Sequence, residues 1–206
     1  MLDENCYVLS DDETRECVII DCGALYEAEL SAIVSYIRDN NLKPVHLLCT
    51  HGHLDHNFGN GGIYKAFNLQ PEVHFADKQM LENINEQTVK FFGMPLNCDT
   101  APVGKLLNGT ETITYGTQKL EVIYTPGHTE GGVVYFNREQ NIAFTGDTLF
   151  QMSIGRTDME GGDYEKIMSS LHLLATTLPA STVVYPGHGP STTMQTELRY
   201  NPYLSM

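Results

Sequence analysis

Three histidines and an aspartate fall within six residues in the segment Thr50-His51-Gly52-His53-Leu54-Asp55-His56, although the whole chain holds only eight histidines. Imidazole nitrogens and carboxylate oxygens at this density are the donors of a divalent-metal site, the alternative being a solvated polar turn. Three further donors stand directly after apolar runs that read as strands. His128 follows Leu120–Tyr124 in Thr125-Pro126-Gly127-His128, Asp147 follows Ile142-Ala143-Phe144 in Thr145-Gly146-Asp147, and His188 follows Val183-Val184 in Tyr185-Pro186-Gly187-His188. A glycine precedes each, which lets the backbone turn sharply off the strand. Side chains from several strand ends can share one mouth, as sites on rigid scaffolds commonly do. Taken together, these segments supply five imidazoles and two carboxylates.

Seven donors are too many for one tetrahedral ion and suit two. The spacing also divides the loop: His51 and His53 can point to one ion while Asp55 and His56 point onward to another. Nitrogen and oxygen donors without thiolate suit Zn and accommodate Fe or Mn. A dinuclear centre activates water at neutral pH, polarises a carbonyl and stabilises a leaving group, which is hydrolytic chemistry.

The elements that must hold these donors are legible in the pattern. Tyr7–Ser10 and Glu16–Asp21 read as a hairpin across Asp11-Asp12-Glu13-Thr14. Leu30, Ile33, Val34 and Ile37 predict an amphipathic helix over Tyr26–Asn40. Val45–Thr50 reads as a strand buried on both faces. A helix near Gly61–Phe67 and a strand at Glu72–Ala76 follow, and Asp77 is placed to cap a helix running toward Phe92. Beyond an irregular stretch come strands at Glu111–Tyr115, Lys119–Tyr124, Val133–Asn137 and Asn141–Thr145. Asp163 is placed to cap a helix striped by Ile167, Leu171, Leu174 and Leu178; Thr182–Tyr185 is a last strand, and Thr192 with Gln195 could cap a closing helix. Hairpins interspersed with helices indicate an α+β or layered α/β fold with sheets packed between helices, and leave the topology open. No repeat or linker divides residues 1–206, so one domain is expected.

The 206 residues carry 12 Lys+Arg against 26 Asp+Glu, a formal net charge of −14. Such a chain repels polyphosphate backbones, so nucleic acid is not an expected partner. No apolar run approaches the ~20 residues of a membrane span, and Met1-Leu2-Asp3-Glu4-Asn5 has neither the basic nor the apolar region of a signal peptide. Five cysteines, irregularly spaced and without a CxxC, read as free thiols; a cytoplasmic location is expected.

The ordered set His51-x-His53-x-Asp55-His56, His128, Asp147 and His188 resembles the metallo-β-lactamase superfamily. The likeness runs from Tyr7-Val8-Leu9 through Ile19-Ile20-Asp21-Cys22-Gly23 to Pro186-Gly187-His188-Gly189-Pro190. Gly146-Asp147-Thr148-Leu149-Phe150, Ile154-Gly155-Arg156-Thr157-Asp158 and Asn201-Pro202 are similar to the small glyoxalase II-like hydrolases. The resemblance implies a four-layer αββα sandwich with the metals at one edge. It implies that His51, His53 and His128 bind one ion, that Asp55, His56 and His188 bind the other, and that Asp147 bridges them. Full-length glyoxalase II adds a helical domain that helps hold glutathione, and this chain stops short of one, so the glutathione moiety is not carried over. The family usually has Pro where Cys22 stands, and Cys22 is expected to pack. It also tends to have a fuller first strand before Tyr7, which implies that the chain as given starts late or lacks an edge strand.

The expected reaction is thioester hydrolysis, with an S-acyl glutathione or related acyl thiol as substrate class. Asp55 is the expected catalytic residue, orienting the nucleophile as well as binding metal. Arg156 is a candidate clamp for a substrate carboxylate, the plainer reading being a solvated arginine or a pair with Asp158 or Asp163. Asp21 is placed to support a ligand histidine, or simply to turn the chain. A mono-iron persulfide dioxygenase on the same fold is the main alternative, and a phosphodiesterase, which would want a basic approach surface, is a further one. A β-lactamase would normally be exported, and a flavodiiron protein would have Glu where His53 stands. His46, His74 and His172 lie within strand or helix patterns and read as structural or surface residues.

Overall fold

Two strand-rich halves emerge from the alternation of apolar side chains in a computed structural model that describes residues 3–204. Met1 and Leu2, part of the N-terminal segment read above for a signal peptide, lie outside the described residues. Strands β1 (Tyr7–Ser10) and β2 (Glu16–Ile20) form the expected hairpin, with Tyr7 opposite Ile20. Helix α1 (Glu27–Asp39) opens on Tyr26, whose N–H donates to the Glu29 carboxylate at 2.9 Å. Strand β3 (Lys43–Leu48) then pairs parallel with β2. Only Leu47 and Leu48 of β3 are fully buried. Burial on both faces is thus confined to the end nearest the histidine loop, because the strand starts at the surface with Lys43 exposed.

Helix α2 (Asn60–Phe67) follows as read, and strand β4 (Pro71–His74) stops two residues short of the expected Ala76, where a 3-10 turn begins. The single helix expected from Asp77 to Phe92 is instead a 3-10 turn at Phe75–Asp77 and two helices, α3 (Lys78–Glu82) and α4 (Ile84–Phe92). They part at Asn83, whose φ of −102° and ψ of 29° leave the helical region, and Asp77 makes no side-chain cap. Strand β5 (Leu106–Leu107) closes a five-stranded sheet in the order β1-β2-β3-β4-β5.

The second half holds β6 (Thr112–Tyr115), β7 (Gln118–Tyr124), β8 (Val133–Asn137), β9 (Ile142–Gly146), the small hairpin β10 (Leu149–Phe150) and β11 (Ser153–Ile154), and helix α5 (Tyr164–Thr177). The chain finishes with β12 (Val183–Pro186), β13 (Thr192–Thr193) and α6 (Met194–Tyr200). The six-stranded sheet runs β13-β12-β9-β8-β7-β6. Asp163 caps α5 by accepting from the Lys166 N–H at 3.0 Å, as expected. Helix α6 is capped by Thr193 rather than Thr192, whose hydroxyl donates instead to the buried Glu197 at 2.6 Å.

Period-two alternation sorts the layers. In β2, Cys17 and Ile19 face α1 and α2 with Ile37 and Ile63, while Val18 and Ile20 face the other sheet. In β8, Val133 and Tyr135 meet them, and Val134 and Phe136 pack on Leu171 and Leu174 of α5. The result is an αββα sandwich, each fully buried aliphatic or aromatic side chain contributing about 1.5–3 kcal/mol. Strand direction then positions the site. Strands β2 and β3 are parallel, and β7, β9 and β12 run one way because β8 is antiparallel to β7 and β9 while β12 is parallel to β9. The loops carrying every candidate donor leave the C-terminal ends of β3, β7, β9 and β12.

Within β3, His46 Nδ1 is held by the Glu72 carboxylate and its Nε2 lies 3.2 Å from the Thr114 carbonyl, which raises its pKa above the ordinary 6.5. A raised folded-state value means that its stabilisation is complete below the unfolded pKa and is lost as pH rises through the folded one. The variant His46→Gln should therefore lose about 1–2 kcal/mol at pH 5.5 and clearly less at pH 9, read by urea denaturation of both proteins at the two pH values. An equal loss at both would remove the charged pair from the account.

Candidate metal centre

Thr50, at the end of β3, sets the histidine loop against both sheets. Its N–H and hydroxyl each donate to the Asp21 carboxylate at 2.7 Å, and its carbonyl accepts from the Val133 N–H at 2.9 Å. From there His51, His53 and His56 turn into the mouth between the sheets, all buried, with a short 3-10 turn at Leu54–His56. His128, Asp147 and His188 arrive from the strand ends opposite. All seven predicted donors meet there.

Ligand atoms of His51, His53 and His128 lie within 4.8 Å of one another, and so do those of Asp55, His56 and His188. Asp147 reaches both groups: one oxygen is 3.3 Å from His56 Nε2, and the other is 3.5 Å from His128 Nε2 and 3.6 Å from His188 Nε2. His53 Nδ1 stands 2.9 Å from His128 Nε2, and His56 Nε2 stands 3.2 Å from His188 Nε2. The outward nitrogens are engaged elsewhere: His56 Nδ1 by Asp21 at 3.0 Å, His128 Nδ1 by the Arg156 carbonyl at 2.8 Å, and His188 Nδ1 by the Asp3 carbonyl at 2.9 Å. Donating outward leaves a lone pair facing inward, the state a metal needs. His51 Nε2 is buried with no hydrogen-bond partner, and buried Asp147 Oδ1 has only the 3.3 Å ionic contact with His56. Buried polar atoms without partners are costly, and these two point to the ion that would satisfy them.

Electrostatics divides the mouth. Burial, with neighbouring imidazoles second, pushes His51 well below its ordinary pKa and His53 down to about 3; burial likewise lowers His128. These three stay neutral donors. For His56, burial opposes charge but Asp147 and Asp21 outweigh it and raise its pKa; for His188 the hydrogen bond to Asp55 raises it. Burial also opposes ionisation of Asp147 and Asp55, yet the surrounding imidazoles hold Asp147 down at about 2 and lower Asp55. The mouth sets ionised Asp55 and Asp147 beside the three neutral rings of His51, His53 and His128, donors that a cation would satisfy. Aspartate 21 also lies near His51 and His56, but it supports the ring of His56 from behind.

The three preceding glycines act differently. Gly127 and Gly146 take positive φ, 135° and 47°. Gly187 does not, and its smallness matters instead: a Cβ there would collide with Asp147 Oδ1 and His56 Cε1.

Arg156 donates from Nε and Nη2 to the Asp158 carboxylate at 2.7 and 2.8 Å, so a substrate carboxylate there would have to displace Asp158. Cys22 is wholly buried in the apolar cluster of Ile19 and Ile63, as a packing residue. All five cysteines are free. Among the described residues, no helix is long and apolar enough to cross a membrane.

The residue that sequence reasoning misplaced is Asp77. Its carboxylate accepts from the Gly52 N–H at 2.9 Å, the Thr129 hydroxyl at 2.7 Å and the Gly131 N–H at 2.7 Å, tying the His51–His53 loop to the His128 loop. Gln87 and Asn57 add further ties, Gln87 to Gly52 and Leu54, and Asn57 to the carbonyls of His51 and His53. Asn57 adjoins the histidine motif and could have been suspected. Asp77 lies 21 residues past His56, and no local spacing signals its role.

A model described as the Metallo-beta-lactamase superfamily matches residues 2–188. The hydroxyacylglutathione hydrolase GloC of Haemophilus influenzae is 35% identical over 204 residues, 98% of this chain and 93% of its own. Among solved structures, the BLEG-1 B3 metallo-beta-lactamase superposes with a TM-score of 0.89 at 35% identity, covering 98% of this chain and 95% of its own. TTHA1623 in a di-iron-bound form gives 0.83 at 32% identity, covering 98% and 96%.

Replacing Asp77 by alanine should cost about 2–3 kcal/mol, since it leaves buried N–H groups without an acceptor. At this chain length that lowers Tm by ~4–12 °C. Metal content after dialysis should fall with it. Scanning calorimetry with elemental analysis checks both, and an unchanged Tm would show that the two loops hold themselves.

Proposed function

Because the chain belongs to the metallo-beta-lactamase superfamily, we propose that it is a dinuclear metal-dependent hydrolase whose substrates are acyl thioesters. The observation that carries this reading is the pair of three-donor groups with Asp147 in contact with both. His51, His53 and His128 would hold one divalent ion, Asp55, His56 and His188 the second, and Asp147 both. The donor set favours zinc, and likeness to a protein solved with two irons keeps iron as the rival metal. Bound there, such ions supply Lewis acidity that polarises a carbonyl and lowers the pKa of water.

The chain's own groups do the rest. Asp55, ionised because His188 and His56 outweigh its burial, is placed to orient the attacking water and accept a proton from it. Asp21 and the carbonyls of Asp3 and Arg156 keep the rings from rotating away. A thioester suits such a site because its thiolate leaves without needing a proton. The 35% identical relative bearing the name hydroxyacylglutathione hydrolase supports the thioester class. Arg156, once released from Asp158, is the proposed contact for a carboxylate on the thiol carrier. Five unpaired cysteines fit the proposed cytoplasmic setting.

β-Lactam hydrolysis is the second reading, favoured by the likeness to BLEG-1. Purified protein should hold two equivalents of metal, with zinc or iron identified by elemental analysis, and should hydrolyse at least one thioester in a panel that includes S-lactoylglutathione. Asp55→Ala should lose metal and at least ~100-fold in kcat. Turnover of β-lactams but of no thioester would install the second reading, and one iron with sulfite release from glutathione persulfide would make the protein an oxygenase. Arg156→Ala should raise KM for anionic carriers only.

A further inference from the structure

Helix α4 lines two cavities of similar size, the second the more polar, and each reaches one residue of the donor cluster. The first, ≈ 530 Å³, has Asp55 on its floor. Leu25, Phe92, Met94 and Leu96 form its apolar wall, with Phe58 beneath. Two of these stay unusually open for large hydrophobic side chains, Leu25 at 39% and Met94 at 57% of full exposure. Such residues are normally scattered, and their gathering beside a polar centre marks a binding surface. The second cavity, ≈ 560 Å³, has His53 on its floor, and beside the apolar Met80 and Phe91 it presents Gln79, Asn83, Gln87 and Lys90. Side-chain amides and charges of this kind can pair with the amides of a peptide-like molecule, which the first wall cannot.

A thioester also has two unlike arms, a hydrocarbon acyl chain and, in biological carriers, a polar thiol. Building on the thioesterase reading above, we infer that the cleft between the β2–α1 loop and the end of α4 is an acyl subsite selecting an uncharged, medium-length hydrocarbon chain, while the amide-lined cavity takes the carrier. Charge supports the assignment. Glu29 borders the apolar cleft, and among the described residues no lysine or arginine lines it. A carboxylate-ended acyl group would meet no counter-ion there. The cleft volume falls within the range of small-molecule sites, so a chain of six to eight carbons, on the order of 150–250 Å³, fits with room for the reacting carbonyl.

The test holds the thiol constant and varies the acyl group: acetyl, butanoyl, hexanoyl, octanoyl and succinyl thioesters of both glutathione and uncharged N-acetylcysteamine, given to metal-loaded protein. Burial of one methylene corresponds to about 4-fold at full desolvation and less in an open cleft, so kcat/KM should climb at least ~10-fold from acetyl to hexanoyl. Succinyl should fall below butanoyl. Calorimetric Kd values for the matching unreactive S-alkyl thioethers should follow the same order, a readout independent of turnover. Met94→Ser, at an exposed position with little bearing on folding, should flatten the chain-length dependence, and Leu25→Lys should raise succinyl relative to hexanoyl. Hydrolysis with no preference for chain length, or with succinyl preferred, overturns the acyl subsite while leaving the thioesterase standing. Absence of hydrolysis across every member overturns the thioesterase itself.

Discussion

Buried ligand atoms that all face one another are the constraint on which the rest of this molecule depends. His51, His53 and His128 stay neutral and turn lone pairs into the mouth, beside ionised Asp55 and Asp147. Only positive charge can satisfy such a cluster. The surrounding structure serves to stop it from relaxing. Asp21 and two backbone carbonyls hold the rings from outside. Asp77 fastens two of the contributing loops together. The sandwich brings the C-terminal ends of four donor-bearing strands to one edge, because strand direction within each sheet allows nothing else.

Rigidity and selectivity are consequently assigned to different parts. Around the donors, Thr50, Asn57 and Gln87 leave few backbone groups free to shift. The residues bounding the two cavities come largely from α3, α4, the β2–α1 loop and the segment after α4, with Gln87 shared between the two sets. One face of α4 offers Phe92 to an apolar space and another offers Lys90 and Glu86 to a polar one. Substrate choice can therefore change through α4 and its flanks without disturbing the metal centre.

Much of this was legible before any coordinates, and unevenly so. The seven donors were readable because five of them are histidines, a rare residue here, and because each sits after an apolar run. The strands were readable because Cys17–Ile20 and Val133–Phe136 are continuous apolar stretches with a sheet or helix on either side. Asp77 misled because an aspartate before an amphipathic stretch is a good cap by local rules. Its actual partners, Gly52 and Gly131, lie 25 and 54 residues away. The break at Asn83 was equally hidden, since nothing in Leu81-Glu82-Asn83-Ile84 forbids a continuous helix. Local propensity cannot register a tertiary bond such as those that Asp77 makes.

One contact ties the two ends of the chain to the site. Glu4 forms an isolated bridge with His188, and Asn5 donates to the Gly187 carbonyl at 2.8 Å. The donor group of His51, His53 and His128 is complete once the chain reaches residue 128, whereas that of Asp55, His56 and His188 spans the molecule and closes against its first few residues. Contacts of such long sequence separation are the slowest to form. The last donor made is therefore the one that the chain's first residues hold, so the second donor group is complete only when the two ends of the chain have met.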